Sequence, residues 1–320
     1  MNKNLLRVEK YEPEVEALID EVVEGFASSQ KQLPCKLFYD KEGSSLFDEI
    51  CTLDEYYLTR TERAIMEDNI GAIANTIGEN NLLIELGSGS SRKIRLLLDN
   101  LKNPAGYVPI DISEEHLVDS VRSLADDYPD LRILPVYADY TQMIKFPDFD
   151  FPYSRKVVYY PGSTIGNFSP PAARRFMKNI ARWSGKGSGL LIGVDLVKDK
   201  GILERAYNDG KGVTAKFNLN ILKRLNREIG TDFNLGKWEH HAHYDTSKNR
   251  IEMHLKSLAD QMVHVNGSVF GVKKDETILT EYSYKYTLKG FKELVSDSFA
   301  VEEVWTDVDM NFSIQYLTVL

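Results

Sequence analysis

The sequence predicts an α/β fold: a doubly wound, mostly parallel sheet joined to a smaller α+β domain. Three observations carry that prediction. Short apolar runs of buried-strand type alternate with helical stretches between residues 82 and 195. The first run, LLIEL at 82–86, ends directly on Gly87-Ser88-Gly89. After Asp195 the rhythm breaks, and helical residues 200–229 are followed by a succession of β-like segments.

Taken in order, residues 14–27 set Val15, Leu18, Ile19, Val22, Val23 and Phe26 on one helical face. The segment LPCKLFYDKEGSSLFDEICTLDEYYLTRTE reads as short helices joined by loops. Thr59 and Glu62 fit a capping box for a helix running to about residue 77. Beyond the glycines a helix is expected at about 91–102, then the strand YVPIDI at 107–112. Ser113 caps the next helix, and RILPVYA at 132–138 is the third strand. KVVYY at 156–160, a helix at about 172–183 and LLIGVD at 190–195 complete the alternation.

In the second part, KWEHHAHYD, RIEMHLKS and QMVHVNGSVFGV read as strands, the last with an Asn266-Gly267 hairpin signal. ETILTEYSYKY at 276–286 is a further strand. A helix at about 288–298 then leads to the strands VEEVW and FSIQYLTVL. A helix and two strands closing the sheet give the seven-stranded, Rossmann-like class I methyltransferase arrangement. The expected domains are therefore 61–196 with 287–320, and 1–60 with 197–286.

Composition narrows the function. Thirty-nine basic against 48 acidic residues leave a net charge of −9. Phosphate-backbone binding needs clustered Lys and Arg, so a small substrate is favoured over nucleic acid. Two cysteines, Cys35 and Cys51, make no disulfide framework and fit a reducing cytoplasm. No signal peptide, membrane-length apolar run or internal repeat is seen. A monomer is expected.

The motif Glu85-Leu86-Gly87-Ser88-Gly89 stands at a strand end, where open α/β sheets bind ligands. Its glycines permit a tight turn and a close approach. The third glycine of a dinucleotide fingerprint is missing, since Ser90, Ser91 and Arg92 follow. That speaks against a pyrophosphate and for S-adenosylmethionine, whose cationic end suits an acidic residue such as Glu85. Asp111, at the second strand end, is placed for the ribose hydroxyls. Asp139 and Tyr140, at the third, are placed for the adenine, and Lys93 for the cofactor carboxylate. An NAD-dependent oxidoreductase is the rival reading of these motifs. After the fourth strand, PGSTIGNFSP turns sharply at Pro161-Gly162 and offers Asn167. An amide there can donate to a carboxylate and accept from an amine. His241 and His243 share a strand face and His254 lies on a neighbouring strand. No Cys or acidic cluster completes a site, so no metal is expected.

Longer motifs carry a family resemblance: ELGSGSSRK, PGSTIGNFSP, DLVKD, AYNDGKGVTAKFNLNIL and LTEYSYKY, together with LPCKLFYDKEGSSLFDEI and LDEYYLTRTE. The chain resembles, over nearly its whole length, the histidine-specific Nα-methyltransferases of ergothioneine biosynthesis. The resemblance implies trimethylation of free L-histidine to hercynine. It implies that Tyr39 and Asn167 hold the α-amino group and do the catalytic positioning, with Asn167 and Tyr207 also on the carboxylate. It implies Tyr56 and Met253 at the imidazole side, with Glu281 and Ser283 hydrogen-bonded to its nitrogens. Gly162 belongs to the same substrate set, and Gly87, Lys93, Asp111, Asp139 and Tyr140 match cofactor positions. The chain departs from bacterial members at Tyr282 and Tyr284, which alternation turns away from the pocket, and at Tyr140 in place of Phe. The alternative within this fold is a methyltransferase for tryptophan or a prenylated tryptophan, which lacks the second ring nitrogen that Glu281 and Ser283 would engage.

Overall fold

The structure, a computed structural model, describes residues 4–11, 15–89, 92–142 and 149–320. The side chain of Val15 on the expected helix face, and Ser90 and Ser91 after the glycines, lie outside the described residues.

In chain order come β1 (Glu9–Tyr11), α1 (Val15–Ala27), α2 (Lys41–Ile50) and α3 (Tyr57–Ile77). The alternating stretch is β2 (Leu82–Leu86), α4 (Arg92–Leu98), β3 (Gly106–Asp111), α5 (Glu114–Asp127), β4 (Val136–Ala138), β5 (Lys156–Tyr160), α6 (Pro170–Ser184) and β6 (Gly189–Asp195). Next are α7 (Lys200–Tyr207), α8 (Val213–Glu228), β7 (Trp238–Asp245), β8 (Arg250–Ser257), β9 (Gln261–Val265), β10 (Ser268–Val272) and β11 (Thr277–Tyr284). The last elements are α9 (Leu288–Val295), β12 (Phe299–Thr306) and β13 (Phe312–Val319). They form two compact units, one of Met1–Glu12, Leu58–Val197 and Lys285–Leu320, the other of Pro13–Tyr57 and Lys198–Tyr284.

In the first unit, eight strands among the described residues form one sheet in the order β1-β4-β3-β2-β5-β6-β13-β12. Strands β2 to β6 run parallel, and β13 enters antiparallel between β6 and β12. This is the Rossmann-like methyltransferase order with one strand added. The added strand is β1, which pairs with β4 through Glu9 opposite Val136. Eight strands therefore stand where seven are expected, and Glu9–Tyr11 lie in this sheet rather than in the expected second domain. A three-residue edge strand has too little apolar pattern to announce itself in sequence.

All residues of β2, β3 and β6 are buried, as near-continuous apolar strands in a parallel sheet must be. The strand expected over 132–138 shrinks to Val136–Ala138, because Pro135 has no N–H to give a ladder. Ser113 precedes α5 as expected, yet its side chain makes no cap bond; its N–H donates to Asp111 instead. The direction of strand succession reverses between β2 and β5, which makes their carboxyl ends the switch point for a ligand.

The second unit holds the antiparallel sheet β11-β8-β7 and the hairpin β9–β10. Asn266 (φ 44°) and Gly267 (φ 78°) supply the positive φ pair that a two-residue hairpin turn requires. Helix α2 packs on α8, with Phe38 stacked on Phe217 at 4.4 Å just ahead of α2. Asp40 caps α2 by accepting from the Gly43 N–H (2.8 Å), and it also accepts from Asn220 (2.8 Å) and Arg227 (2.6 Å). Gly43 cannot carry a side chain, since a Cβ would lie 1.6 Å from the Phe38 carbonyl oxygen.

Candidate active site

The candidate cofactor cradle lies at the carboxyl ends of β2, β3 and β4. Gly87 (φ 73°) and Gly89 (φ 47°) both occupy the left-handed region that side chains avoid. The turn is tied down from β3: Gly87 N–H donates to the Ile110 carbonyl at 2.8 Å, and Gly89 N–H to Asp111 Oδ2 at 3.0 Å. Asp111 also accepts from Ser113 N–H (2.9 Å). Burial raises the Asp111 pKa, and these two amide bonds pull it back down. The Ser88 hydroxyl beside it is buried with no hydrogen-bond partner among the described residues. An orphaned hydroxyl between two open glycines fits a ligand that brings its own polar group.

Asp139 accepts from the Thr141 N–H (2.9 Å) and hydroxyl (2.5 Å), which orients its carboxylate at the end of β4. The ring of Tyr140 reaches back over the glycine turn, within 3.7 Å of where a Gly87 Cβ would stand. Tyr160 and Phe176 flank it, with centroids at 5.9 and 6.0 Å.

Two acidic residues here differ from the sequence reading. Glu85 is only 2% exposed and accepts from the Tyr107 hydroxyl. Burial pushes its pKa up to about 8, so it is mostly neutral at pH 7 when no cationic ligand lies beside it. Glu62 is not a capping residue, because α3 begins at Tyr57 and places Glu62 inside the helix. Its buried carboxylate accepts from Lys93 Nζ and, at 2.8 Å, from the N–H of Gly162. Lys93 is thereby held on Glu62, beside the Pro161-Gly162 turn.

That turn is strained in a useful way. Gly162 (φ 76°) and Ser163 (φ 57°) are both left-handed, and a short 3₁₀ turn follows at Thr164–Asn167. The Ser163 hydroxyl accepts from the Asp195 N–H at 2.9 Å, linking the turn to the end of β6. Asp195 in turn pairs with Lys285 at 2.8 Å, both side chains being fully buried. Asn167 stands at the end of this 3₁₀ turn.

In the second unit a small pocket, with about 20 Å³ of free space, gathers five of the predicted substrate residues: Tyr39, Tyr56, Tyr207, Met253 and Glu281. Phe47 and Phe217 complete its aromatic wall, with Tyr39 edge-on to both at 5.8 and 5.9 Å. Tyr56 meets Tyr207 edge-on at 6.2 Å. Burial raises the Tyr56 pKa well above its ordinary value, reinforced by Tyr207, so its hydroxyl stays protonated. Ser283 lies two residues beyond Glu281 on β11 and accepts from the Tyr207 hydroxyl at 2.8 Å. Tyr282 and Tyr284 alternate to the opposite face, where Arg250 stacks over Tyr282 at 3.7 Å and donates to the Tyr284 hydroxyl.

A support layer that the sequence reading missed holds these strands. Asn218, fully buried on α8, donates to the His254 carbonyl and to His240 Nδ1, both at 2.9 Å. It accepts from the Thr280 hydroxyl at 2.7 Å. These partners select the His240 tautomer that donates from Nε2 to the Tyr207 carbonyl (2.8 Å). One amide thus fixes β8, β11 and the end of α7. The histidines also need revision. Glu252, opposite His243 in the β7–β8 register, is the acidic partner that sequence spacing does not reveal.

Comparison with known proteins agrees with this picture. The chain is 37% identical over 308 residues to a histidine N-alpha-methyltransferase of Mycolicibacterium smegmatis, covering 93% of this chain and 94% of that protein. It is 36% identical over 305 residues to one of Mycobacterium tuberculosis, with the same coverage. A 4-dimethylallyltryptophan N-methyltransferase of Aspergillus fumigatus is more distant, at 27% over 311 residues (92% and 91% covered). The family described as histidine-specific methyltransferase, SAM-dependent, matches residues 18–319, and the chain belongs to that family.

Proposed function

We propose that this protein trimethylates the α-amino group of free L-histidine to hercynine, with the first unit binding S-adenosylmethionine and the second binding the amino acid. The observation that carries the substrate half is the aromatic cavity into which Glu281 faces, with Ser283 fixed beside it by Tyr207. A carboxylate and a hydroxyl on one strand face suit a ring with two polar nitrogens. Tryptophan would leave one of them unpaired, which a buried polar site strongly disfavours.

In the first unit Gly87, Ser88 and Gly89 cradle the cofactor, Asp111 takes the ribose, and Asp139 and Tyr140 take the adenine. Glu85 shapes the cradle from beneath. S-adenosylmethionine, when bound, supplies a methyl group already activated on a sulfonium. What the chain must add is position and a deprotonated amine. An α-amino group titrates near 8, so most of it is charged at neutral pH. Tyr39 and Asn167 orient it, and its proton leaves to water by way of the Tyr39 hydroxyl. Gly162 keeps the turn that carries Asn167 open. Gripping the imidazole and carboxylate while leaving the amine room to turn permits three successive transfers.

The reading includes a cytoplasmic reaction with a single chain as the working unit. Two cysteines in 320 residues, Cys35 and Cys51, support a reducing compartment. The test is Glu281→Ala, assayed on histidine and tryptophan with mass-spectrometric product detection. Histidine affinity should fall at least tenfold, about 1.4 kcal/mol or more, with relaxed selectivity. Unchanged histidine kinetics would remove Glu281 from the substrate site.

A further inference from the structure

The sheet face opposite the candidate pocket carries a second cluster. In the β7–β8 register His241 stands opposite His254, and His243 opposite Glu252. Alternation puts all four on one face, while Ala242 and Met253 between them point to the other. The rings are close: His243 and His254 lie at 5.6 Å, and His241 lies 5.4 Å from His243 and 6.5 Å from His254. His243, Glu252 and His254 each bring one ligand-capable atom within 4.8 Å of the other two.

Two features of this cluster ask for a further partner. The Nδ1 atoms of His243 and His254 are both buried with no hydrogen-bond partner among the described residues, and His254 is only 6% exposed. His254 Nε2 lies 3.1 Å from Glu252 Oε2, while Arg250 Nε donates to Oε1 at 2.8 Å. Arg250 therefore anchors the carboxylate by one oxygen and leaves the other toward the imidazoles.

We propose that His243, Glu252 and His254 form a binding site for a divalent transition metal, Zn²⁺ being the natural occupant. Two imidazoles and one carboxylate are an established zinc donor set that leaves a fourth position open. Ligand bonds of about 2.0–2.2 Å would bring the donor atoms to roughly 3.4 Å apart, within reach of side-chain rotation from the present spacing. His241 stands at the exposed rim, where it can cover the open position. Glu252 and His254 flank Met253, so the metal would brace from behind the strand that lines the pocket. That consequence rests on the pocket reading; metal binding itself does not.

The test uses the full chain, stripped with chelator and desalted, titrated with ZnCl₂ by calorimetry and with CoCl₂ by visible absorption. One metal per chain is expected, with a tetrahedral or five-coordinate cobalt spectrum. His243→Ala and Glu252→Gln should each weaken binding at least tenfold. Circular dichroism reports whether the variants fold, and Glu252→Gln keeps the side chain's shape. His264→Ala, at an exposed histidine paired with Asp232, should bind as the parent does. No Zn²⁺ binding by the parent chain up to millimolar metal, or equal affinity in His243→Ala and Glu252→Gln, would overturn the proposal.

Discussion

Glu85→Gln isolates the acid beneath the glycine turn. Burial raises its pKa from 4.5 to about 8, with the Tyr107 hydroxyl and Lys93 acting in the opposite direction. For a carboxyl raised on folding, the native state keeps a proton that the unfolded chain releases. Its contribution to stability is therefore complete below pH 4.5 and is lost as pH rises through about 8. Each pH unit across that interval corresponds to about 1.36 kcal/mol, so the whole is worth roughly 5 kcal/mol. Glutamine is neutral throughout and still offers an oxygen to Tyr107. Urea unfolding of parent and variant at pH 5, 6, 7 and 8 reads the difference, and titrations common to both proteins cancel. The variant should be close to the parent at pH 5 and more stable by several kcal/mol at pH 8. Parallel stability curves from pH 5 to 8 would refute the burial argument and return Glu85 to the status of an ordinary carboxylate.

Asn218→Leu removes donors from the His254 carbonyl and from His240 Nδ1, while Thr280 keeps a bond to the Met253 carbonyl (3.1 Å). Two orphaned buried acceptors cost about 2–6 kcal/mol by denaturant unfolding, and the KM for histidine should rise with little change in cofactor affinity. Lys93→Met leaves the Glu62 carboxylate buried without its cation. A loss of about 3 kcal/mol is expected even without cofactor, measurable by thermal unfolding. Gly43→Ala forces backbone apart at the start of α2, next to Tyr39, and should cost about 3 kcal/mol while weakening histidine binding in calorimetry.

What could be read from sequence was what depends on short-range pattern. Buried strands announced themselves as apolar runs, and the glycines of the first turn and the Asn266-Gly267 hairpin by their φ requirement. What could not be read depends on residues meeting across the fold. Thr59 and Glu62 have the spacing of a cap, and only the position of Lys93 and Gly162 shows that Glu62 faces elsewhere. Asp195 and Lys285 are ninety residues apart and give no local sign of pairing. Glu252 becomes the partner of His243 through strand register alone. Glu85 stands in a motif legible in the sequence, but its charge is set by burial, which no motif states.

Strand β13 has a consequence for how the chain is made. It sits inside the sheet, between β6 and β12, yet both neighbours are synthesised before it. Until it emerges from the ribosome, β6 presents an unpaired ladder of seven buried-type residues, Gly189–Asp195, to whatever is nearby. The second unit, by contrast, has all of its residues once Tyr284 is made. Vectorial synthesis therefore completes the accessory unit first and holds the larger sheet open longest. Its sticky edge is sealed only by the arrival of the final strand, the interval in which a nascent chain most needs shielding from self-association.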